Sequence, residues 1–399
     1  MTPVHEAFLT LLRISLSGAG EPPELTSEQW TELFELAEAH KLLPMIFEAG
    51  FPQLRRTAPE LAAAAKGRVR NHVILQTLRT EEFLNLYQML TDAGLTPLVV
   101  KGIVCRQLYA KPDHRPSADE DVLIPPEQLS RCRQVLEGYG MATTESDPDA
   151  YEFPYRKAGT PLYIELHRSL FPPQSDACGD WNRFFRDGFA SAGELQTGSR
   201  KLLTLEPTTH MTYLLLHAFK HFLHSGFGIR QICDMLLFAR HYEDQIQWSH
   251  IRKVCRQIRA EHFAAAVFAI GVKHLGFAPV GGWPEADEMP MLEDILRAGV
   301  YGSADETRLH SSSITLTAVS AQKEQRRTPG GLLVSAFPPA KNLEGRYPWL
   351  RERPYLLPAA WGHRIISYLR QPAAAPAEAL RIGAERVELL RQYAGRRWR

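Results

Sequence analysis

The chain has 399 residues, of which 44% are hydrophobic and 23% charged, a composition typical of a globular protein with room for two or three packed units. Lysine and arginine total 46 against 45 aspartates and glutamates, and this balance excludes an overall basic field that would indicate nucleic acid as the main partner. The five cysteines lack zinc spacing, the N-terminus lacks a signal sequence, and no apolar run approaches the roughly 20 residues that span a bilayer, so a cytoplasmic protein without a membrane span is expected.

The first 95 residues are predicted to form a helical region that packs on the rest of the chain. Amphipathic helices are expected over residues 5–20 and 27–50, and the second opens with a Thr-Ser-Glu-Gln capping pattern. A long helix is expected over residues 58–94, because apolar side chains recur there at helical spacing.

Residues 96–205 are predicted to form a core of strands and helices. The expected elements are a strand at 96–102, a helix at 103–110, a loop at 111–118, a strand at 119–124, a helix at 127–139 and a hairpin of strands at 150–157 and 161–170. Residues 176–200 are expected to be rich in loops, with one short helix.

The rest of the chain divides into a helical region, 206–300, and a segment rich in proline and aromatic residues, 301–399. Residues 207 to about 277 are predicted to be helical throughout. Residues 321–360 are expected to be extended and irregular, and their aromatic and basic side chains at 346–364 are interpreted as a packed strap rather than a site for single-stranded nucleic acid. A linker at 371–377 and a final helix at about 376–393 complete the prediction.

Three acidic residues of the core carry the main functional signal. Asp119 and Asp121 lie two positions apart at the start of an apolar run, so in a strand their side chains share one face. Two carboxylates so placed repel each other unless a cation lies between them, and a divalent cation is the usual one. Glu165 follows in an alternating stretch that puts Glu165 and His167 on one face. Three carboxylates on adjacent strands can hold two metal ions.

Ordinary structural roles stay open for all of these residues. The aspartates fit turn or cap positions, and Glu165 fits the exposed face of a strand. Lys101 fits a solvated strand end, Gly102 fits a turn with positive φ, and Arg115 fits a loop ion pair with Asp113 or Glu120. Arg230 and Asp234 fit a pair on a helix surface, and His217 and His221 fit an interface between helices. His167 fits either a structural histidine or a partner that orients Glu165.

At its core the chain resembles a known family. Lys101-Gly102, then Arg115 before Asp119-x-Asp121, then Glu165-Leu-His are similar to the uncharacterised bacterial nucleotidyltransferases of the DNA-polymerase-β-like superfamily. Flanking patterns extend the resemblance from about residue 25 to 370. It implies an α+β fold, in which a polymerase-β-like core, a small mixed sheet with helices, is embedded in N- and C-terminal helical regions.

The resemblance also implies roles for particular residues. Asp119, Asp121 and Glu165 are the expected catalytic residues and ligands of Mg²⁺, with two ions expected. The nucleoside triphosphate, ATP by default, would be bound by residues from two regions: Lys101, Gly102 and Arg115 from the core, and Lys220 or Arg230 from the helical region that closes on the nucleotide. The expected reaction transfers a nucleoside monophosphate to an acceptor and releases pyrophosphate.

Two departures from the family pattern keep rival functions open. Glu120 stands between the aspartates where the family has an apolar residue, and Ala118 stands before them where glycine is usual. One rival is a degenerate member that binds a nucleotide or a partner without turnover. Another is a phosphotransferase that uses the same carboxylates. The acceptor is left open among a small molecule, a saccharide, a peptide and a protein side chain.

Overall fold

The computed structural model describes residues 1–173, 179–224, 226–299, 347–350, 353–370, 385 and 388–394. Helices surround one mixed sheet in this part of the chain. The helices are α1 Pro3–Ser17, α2 Ser27–Ala39, α3 Leu43–Thr57, α4 Pro59–Asp92, α5 Gly102–Arg106, α6 Leu129–Gly138, α7 Pro207–His224, α8 Ile229–His241, α9 Trp248–Ile258, α10 Glu261–His274, α11 Met289–Ala298 and α12 Leu357–Arg370.

The sheet has seven strands within the described residues, in the order β3-β4-β5-β2-β1-β7-β6. The strands are β1 Leu98–Val100, β2 Glu120–Leu123, β3 Met141–Thr143, β4 Glu152–Lys157, β5 Tyr163–His167, β6 Gly193–Thr197 and β7 Arg200–Thr204. Strand β1 is antiparallel to β2 and parallel to β7, while β2 is parallel to β5. The predicted α+β class is therefore confirmed, and the two strands that carry the acidic residues are direct neighbours.

The N-terminal region is helical as predicted, with one break that the prediction misses. Helix α4 matches the long helix expected over 58–94. The single helix expected over 27–50 is wrong, because α2 ends at Ala39 and α3 begins at Leu43. Lys41 between them has a φ of 57°, a left-handed conformation that an α-helix cannot contain.

The core contains two strands that the sequence prediction assigned largely to loops. The hairpin expected over 150–157 and 161–170 is confirmed by the antiparallel pair β4 and β5. Residues 193–204, however, form a second hairpin, β6–β7, in which Thr197 pairs with Arg200 across a two-residue turn. Gly198 begins this turn with a φ of 57°. This hairpin extends the sheet past β1.

The helices α7 to α10 confirm the helical prediction for 207 to about 277. Within the predicted irregular segment, residues 321–346 lie outside the described part of the chain, and α12 begins at Leu357, so the prediction is wrong from there on. Tyr347, Leu350 and Ala360 are buried together, as the packed strap predicts. The linker expected at 371–377 is likewise outside the described residues. No described helix has both the length and the apolar character needed to cross a membrane.

Candidate active site

Strands β2 and β5 bring two of the three predicted carboxylates together. Asp121 and Glu165 are register partners in this parallel pair. His167 lies two residues beyond Glu165 and therefore on the same face of β5. One ligand atom from each of Asp121, Glu165 and His167 lies within 4.8 Å of the others. The predicted alternation along β5 thus produces a cluster of two carboxylates and an imidazole.

Lys101 joins the two aspartates. Its side chain is almost fully buried, and its Nζ atom lies 2.9 Å from Asp121 Oδ2 and 3.3 Å from Asp119 Oδ2. The ammonium group therefore neutralises part of the repulsion between the two carboxylates. The sequence predicts that Lys101 contacts the phosphates of a nucleotide. In the structure its ammonium group lies between the two aspartates instead.

The two carboxyl groups of the paired strands have opposite pKa shifts. Burial raises the pKa of Asp121, but the Lys101 ammonium and the hydrogen bond with His167 lower it more. The pKa of Asp121 is therefore well below its usual range, and the carboxyl group is ionised at pH 7. Burial and the charges of Asp121 and Asp119 raise the pKa of Glu165 to about 7. Glu165 can therefore exchange a proton near neutral pH, as a general base must.

The residues at this site fit a divalent cation. Burial, and then the charges of Asp121 and Asp119, raise the pKa of Glu165, so the positive charge now near its carboxylate is too small to keep it fully ionised at neutral pH. Carboxylate oxygens are the ligands that Mg²⁺ prefers. His167 Nε2 lies 3.3 Å from Asp121 Oδ1 and 3.9 Å from Glu165 Oε2. His167 is thus a candidate metal ligand that the predicted ligands Asp119, Asp121 and Glu165 do not include. Its position two residues after Glu165, on the same face of the strand, is the sequence signal for it.

Glu120 points away from this cluster, to the opposite face of β2. Its Oε2 accepts a hydrogen bond of 2.7 Å from the Ile103 amide, and its Oε1 forms an ion pair of 2.6 Å with Arg106. Both charged side chains are almost completely buried. The departure from the family pattern at Glu120 therefore leaves the face with the aspartates unchanged.

Gly102 is required by its closeness to Glu120. A Cβ atom at Gly102 would lie 2.1 Å from Glu120 Oε2, and the φ of +20° is one that side-chain-bearing residues rarely adopt. The amide of Ile103, at the start of α5, donates to Glu120. A contact of Gly102 with phosphate stays a prediction, and the structure supplies a packing reason for the glycine.

Arg115 and Arg230 both contact groups of the protein at the loop before Asp119. Arg115 donates from Nε to Asp234 Oδ1 at 3.0 Å and forms a second contact, through Nη2, with Oδ2. Tyr109 donates its hydroxyl to the same carboxylate at 2.8 Å. Arg230 donates to the Pro116 carbonyl oxygen.

These contacts fasten the loop to α8. The charged partners, Arg115, Arg230 and Asp234, are all buried. Asp234 therefore belongs to a buried ion pair with Arg115 and not to the exposed helix pair considered from its spacing to Arg230. No local sequence pattern distinguishes these two arrangements, because the partners are 119 residues apart.

Two histidines and a lysine of α7 lie close to the same site. The Nε2 atoms of His217 and His221 are 3.3 Å apart. Burial lowers the pKa of both rings well below the ordinary value, and the charges of Lys101 and Lys220 lower it further. Both rings are therefore neutral at pH 7. Lys220 is partly exposed, whereas Arg230, the other predicted cation of the helical region, is buried.

Comparison with known proteins gave one family match. A family profile described as "Uncharacterised nucleotidyltransferase" matches residues 26–276, which span the helices from α2 to α10 and all three predicted carboxylates. A search of curated proteins found no match.

Solved structures similar to this chain were also found. The antibiotic-resistance factor ANT(2'')-Ia in solution has 14% identity and a TM-score of 0.33, over 45% of this chain and 93% of that chain. A crystal structure of ANT(2'')-Ia in complex with adenylyl-2''-tobramycin has 12% identity and a TM-score of 0.32, over 43% and 93%. A tRNA-processing enzyme in an apo form has 12% identity and a TM-score of 0.22, over 77% and 97%. These TM-scores are too low to indicate a shared function, so only the family match bears on the function of this chain.

Proposed function

We propose, because the chain belongs to the uncharacterised nucleotidyltransferase family, that it transfers a nucleoside monophosphate from a nucleoside triphosphate, ATP by default, to an acceptor with release of pyrophosphate. The family predicted from the sequence is confirmed, and with it the expectation of a transferase. One observation carries the finer proposal: the two carboxylates and the imidazole on one face of β2 and β5, with ligand atoms within 4.8 Å.

Asp119, Asp121 and Glu165 are the proposed ligands of Mg²⁺, with His167 as a further candidate. Bound Mg²⁺ supplies charge neutralisation for the triphosphate and the alignment that in-line displacement at phosphorus needs. In the metal-free chain the pKa of Glu165 is about 7, and Glu165 is the proposed base that takes the proton of the acceptor hydroxyl. The acceptor oxygen then bonds to the α-phosphorus, and the bond from that phosphorus to pyrophosphate breaks.

The proposed catalytic core is the 96–205 region, and the proposed partner region is 206–300. Strand β7 ends at Thr204 and pairs with β1, so the sheet supports a core that ends near residue 205. Lys220 of α7 is the better candidate for a cation that contacts the triphosphate, because it is partly exposed and its charge acts on the histidines beside the site. Arg230 is bound to the Pro116 carbonyl oxygen, so its proposed role becomes support of the loop before Asp119.

Labelled ATP tests this proposal. The full chain is incubated with Mg²⁺, a cell extract and ATP labelled either at the α- or at the γ-phosphate, and the labelled product is located. We expect the α-label in the acceptor and the γ-label in pyrophosphate. Asp121→Asn should abolish the transfer, and Glu165→Gln should abolish it while retaining ATP binding, because an amide cannot take the proton.

A matched control removes a carboxylate elsewhere. Asp149→Asn changes an exposed side chain and should leave the transfer unchanged. Transfer of the γ-label with ADP as the co-product would identify a phosphotransferase. Binding of ATP without transfer of either label would identify a binding protein. Activity of Asp121→Asn near that of the wild type would refute the assignment of the metal ligands.

A further inference from the structure

Lys101 has a backbone conformation that needs external support. Its φ of 56° and ψ of −121° place it outside the regions that residues with a Cβ ordinarily occupy. Arg259, which also has a positive φ, has a ψ of 32° and is an ordinary left-handed cap at the end of α9. Strained residues of this kind persist only where surrounding contacts fix them, and they concentrate at functional sites. Lys101 is the residue whose ammonium lies between Asp119 and Asp121.

A chain of buried hydrogen bonds fixes the Lys101 peptide. The Lys101 amide donates to His210 Nε2 at 3.2 Å. His210 Nδ1 lies 3.1 Å from Thr204 Oγ1, and that hydroxyl donates to the Val99 carbonyl oxygen at 2.7 Å. His210 is fully buried, at the start of α7, and Thr204 is the last residue of β7. The chain therefore ties the end of β1 to β7 and to the first helix of the 206–300 region.

The donors and acceptors in this chain determine the tautomer of His210. A backbone amide can only donate, so Nε2 must be the unprotonated nitrogen. Burial lowers the pKa of His210 to about 3, so the ring is neutral and carries its proton on Nδ1. The Nδ1–H then points at the Thr204 oxygen, whose own hydrogen is used on Val99, and the Leu205 carbonyl oxygen is a second acceptor for the ring. Each hydrogen bond is thus consistent with the next.

We propose that His210 is a positioning residue that holds the Lys101 peptide in its strained conformation and thereby aims the Lys101 ammonium at Asp119 and Asp121. This inference rests on the proposed function only in treating the two aspartates as cation ligands. An ammonium group at these oxygens opposes a divalent cation by like-charge repulsion. The support of Lys101 by His210 therefore sets the cation affinity of the site.

Substitution of His210 by glutamine or by asparagine distinguishes the roles of its two ring nitrogens, Nε2 and Nδ1. The terminal oxygen of glutamine reaches the place of Nε2 and can accept the Lys101 amide, whereas the shorter asparagine reaches only the place of Nδ1. His210→Gln should therefore keep the Lys101 peptide in place, and His210→Asn should release it. Thr204→Val removes the hydroxyl at the other end of the same series of hydrogen bonds and leaves residue 210 unchanged. Thr204→Ser, which keeps the hydroxyl, is its control.

The measurement is Mn²⁺ binding to the full chain without nucleotide, followed by the electron paramagnetic resonance signal of free Mn²⁺. We expect His210→Asn to bind Mn²⁺ about tenfold more tightly than the wild type and His210→Gln to stay within about twofold. Thr204→Val should shift in the direction of His210→Asn, and Thr204→Ser should not. Thermal unfolding of each variant reports any general loss of stability separately.

Equal Mn²⁺ affinity in His210→Asn, His210→Gln and the wild type would overturn the proposal, since a merely structural histidine changes stability alone. If His210→Asn does not fold, equal affinities of Thr204→Val and Thr204→Ser would overturn it in the same way. Because no turnover is measured, a wild-type chain that fails to transfer a nucleotide would refute the proposed function and leave this result standing.

Discussion

Exchange of Glu120 for glutamine is expected to destabilise the fold strongly. Glu120 accepts from the Ile103 amide at 2.7 Å and pairs with Arg106 at 2.6 Å, and both charged side chains are at most 1% exposed. Removal of one partner of a buried ion pair leaves the other charge uncompensated and costs about 3–5 kcal/mol. Glutamine does not relieve this cost, because its NH₂ group must face one of two donors, the Ile103 amide or the Arg106 guanidinium.

Denaturant unfolding measures this loss. The midpoint of Glu120→Gln should fall at an unchanged slope, which reports a change in stability rather than in the compactness of the unfolded chain. The control is the double variant Glu120→Leu with Arg106→Met, in which both buried charges are replaced by apolar side chains of similar size. Such replacements are often neutral, so the double variant should recover part of the lost free energy, and the Ile103 amide, which then lacks its acceptor, keeps the recovery incomplete.

Two results would contradict this expectation for Glu120. A loss below about 1 kcal/mol for Glu120→Gln would mean that the two charges are solvated in the folded chain. A double variant as unstable as the sum of its single variants would mean that the two residues do not interact. Since Glu120 points away from Asp121, the folded double variant should also retain nucleotide transfer.

Three further predictions concern other buried groups. Gly102→Ala should lower the unfolding free energy by about 1–3 kcal/mol, because its Cβ would lie 2.1 Å from Glu120 Oε2; an unchanged denaturation midpoint would refute that contact. Asp234→Asn should lower it by about 3–5 kcal/mol, since Arg115 then loses its buried counter-ion, and addition of Arg115→Met should restore part of this loss. Burial lowers the pKa of His40 to about 4, so between pH 6.5 and 4 only the unfolded chain takes up this proton, and the contribution of His40 to stability should fall by about 3 kcal/mol as the pH falls through that range. The variant His40→Phe should lose this pH dependence, and an identical dependence in both proteins would contradict it.

The strands that carry the site were predictable because each has a local signal. Asp119-x-Asp121 precedes an apolar run, and Glu165 and His167 alternate with apolar residues, so the side of each strand that faces the site follows from the sequence. The sequence prediction misses the β6–β7 hairpin, although Gly198-Ser199 between two short alternating runs is typical of a two-residue turn. Its strands are short and half exposed, so the alternation is weak against a background of loop-forming residues.

The contacts that support the site were not predictable from local patterns. Asp234 pairs with Arg115 across 119 residues, and the Lys101 amide reaches His210 across 109. Spacing along a helix indicates which neighbours a charge has on that helix, and it favoured Arg230 as the partner of Asp234. Only the packing of α8 on the loop before Asp119 decides between an intrahelical pair and a tertiary one.

The position of β7 determines when the sheet can be completed during synthesis. Val99 in β1 and Thr204 in β7 are 105 residues apart, while β2 follows β1 closely. Val99 pairs with Val122 in β2 and with Thr204 in β7, so at a ribosomal rate of about 5–20 residues per second the second edge of β1 stays uncovered for roughly 4–16 seconds after its first edge is paired. That edge belongs to Leu98, Val99 and Val100, which are fully buried in the finished protein. The nascent chain therefore carries an open apolar strand edge, the feature on which chains associate wrongly and which chaperones bind, until the hairpin at 193–204 has emerged.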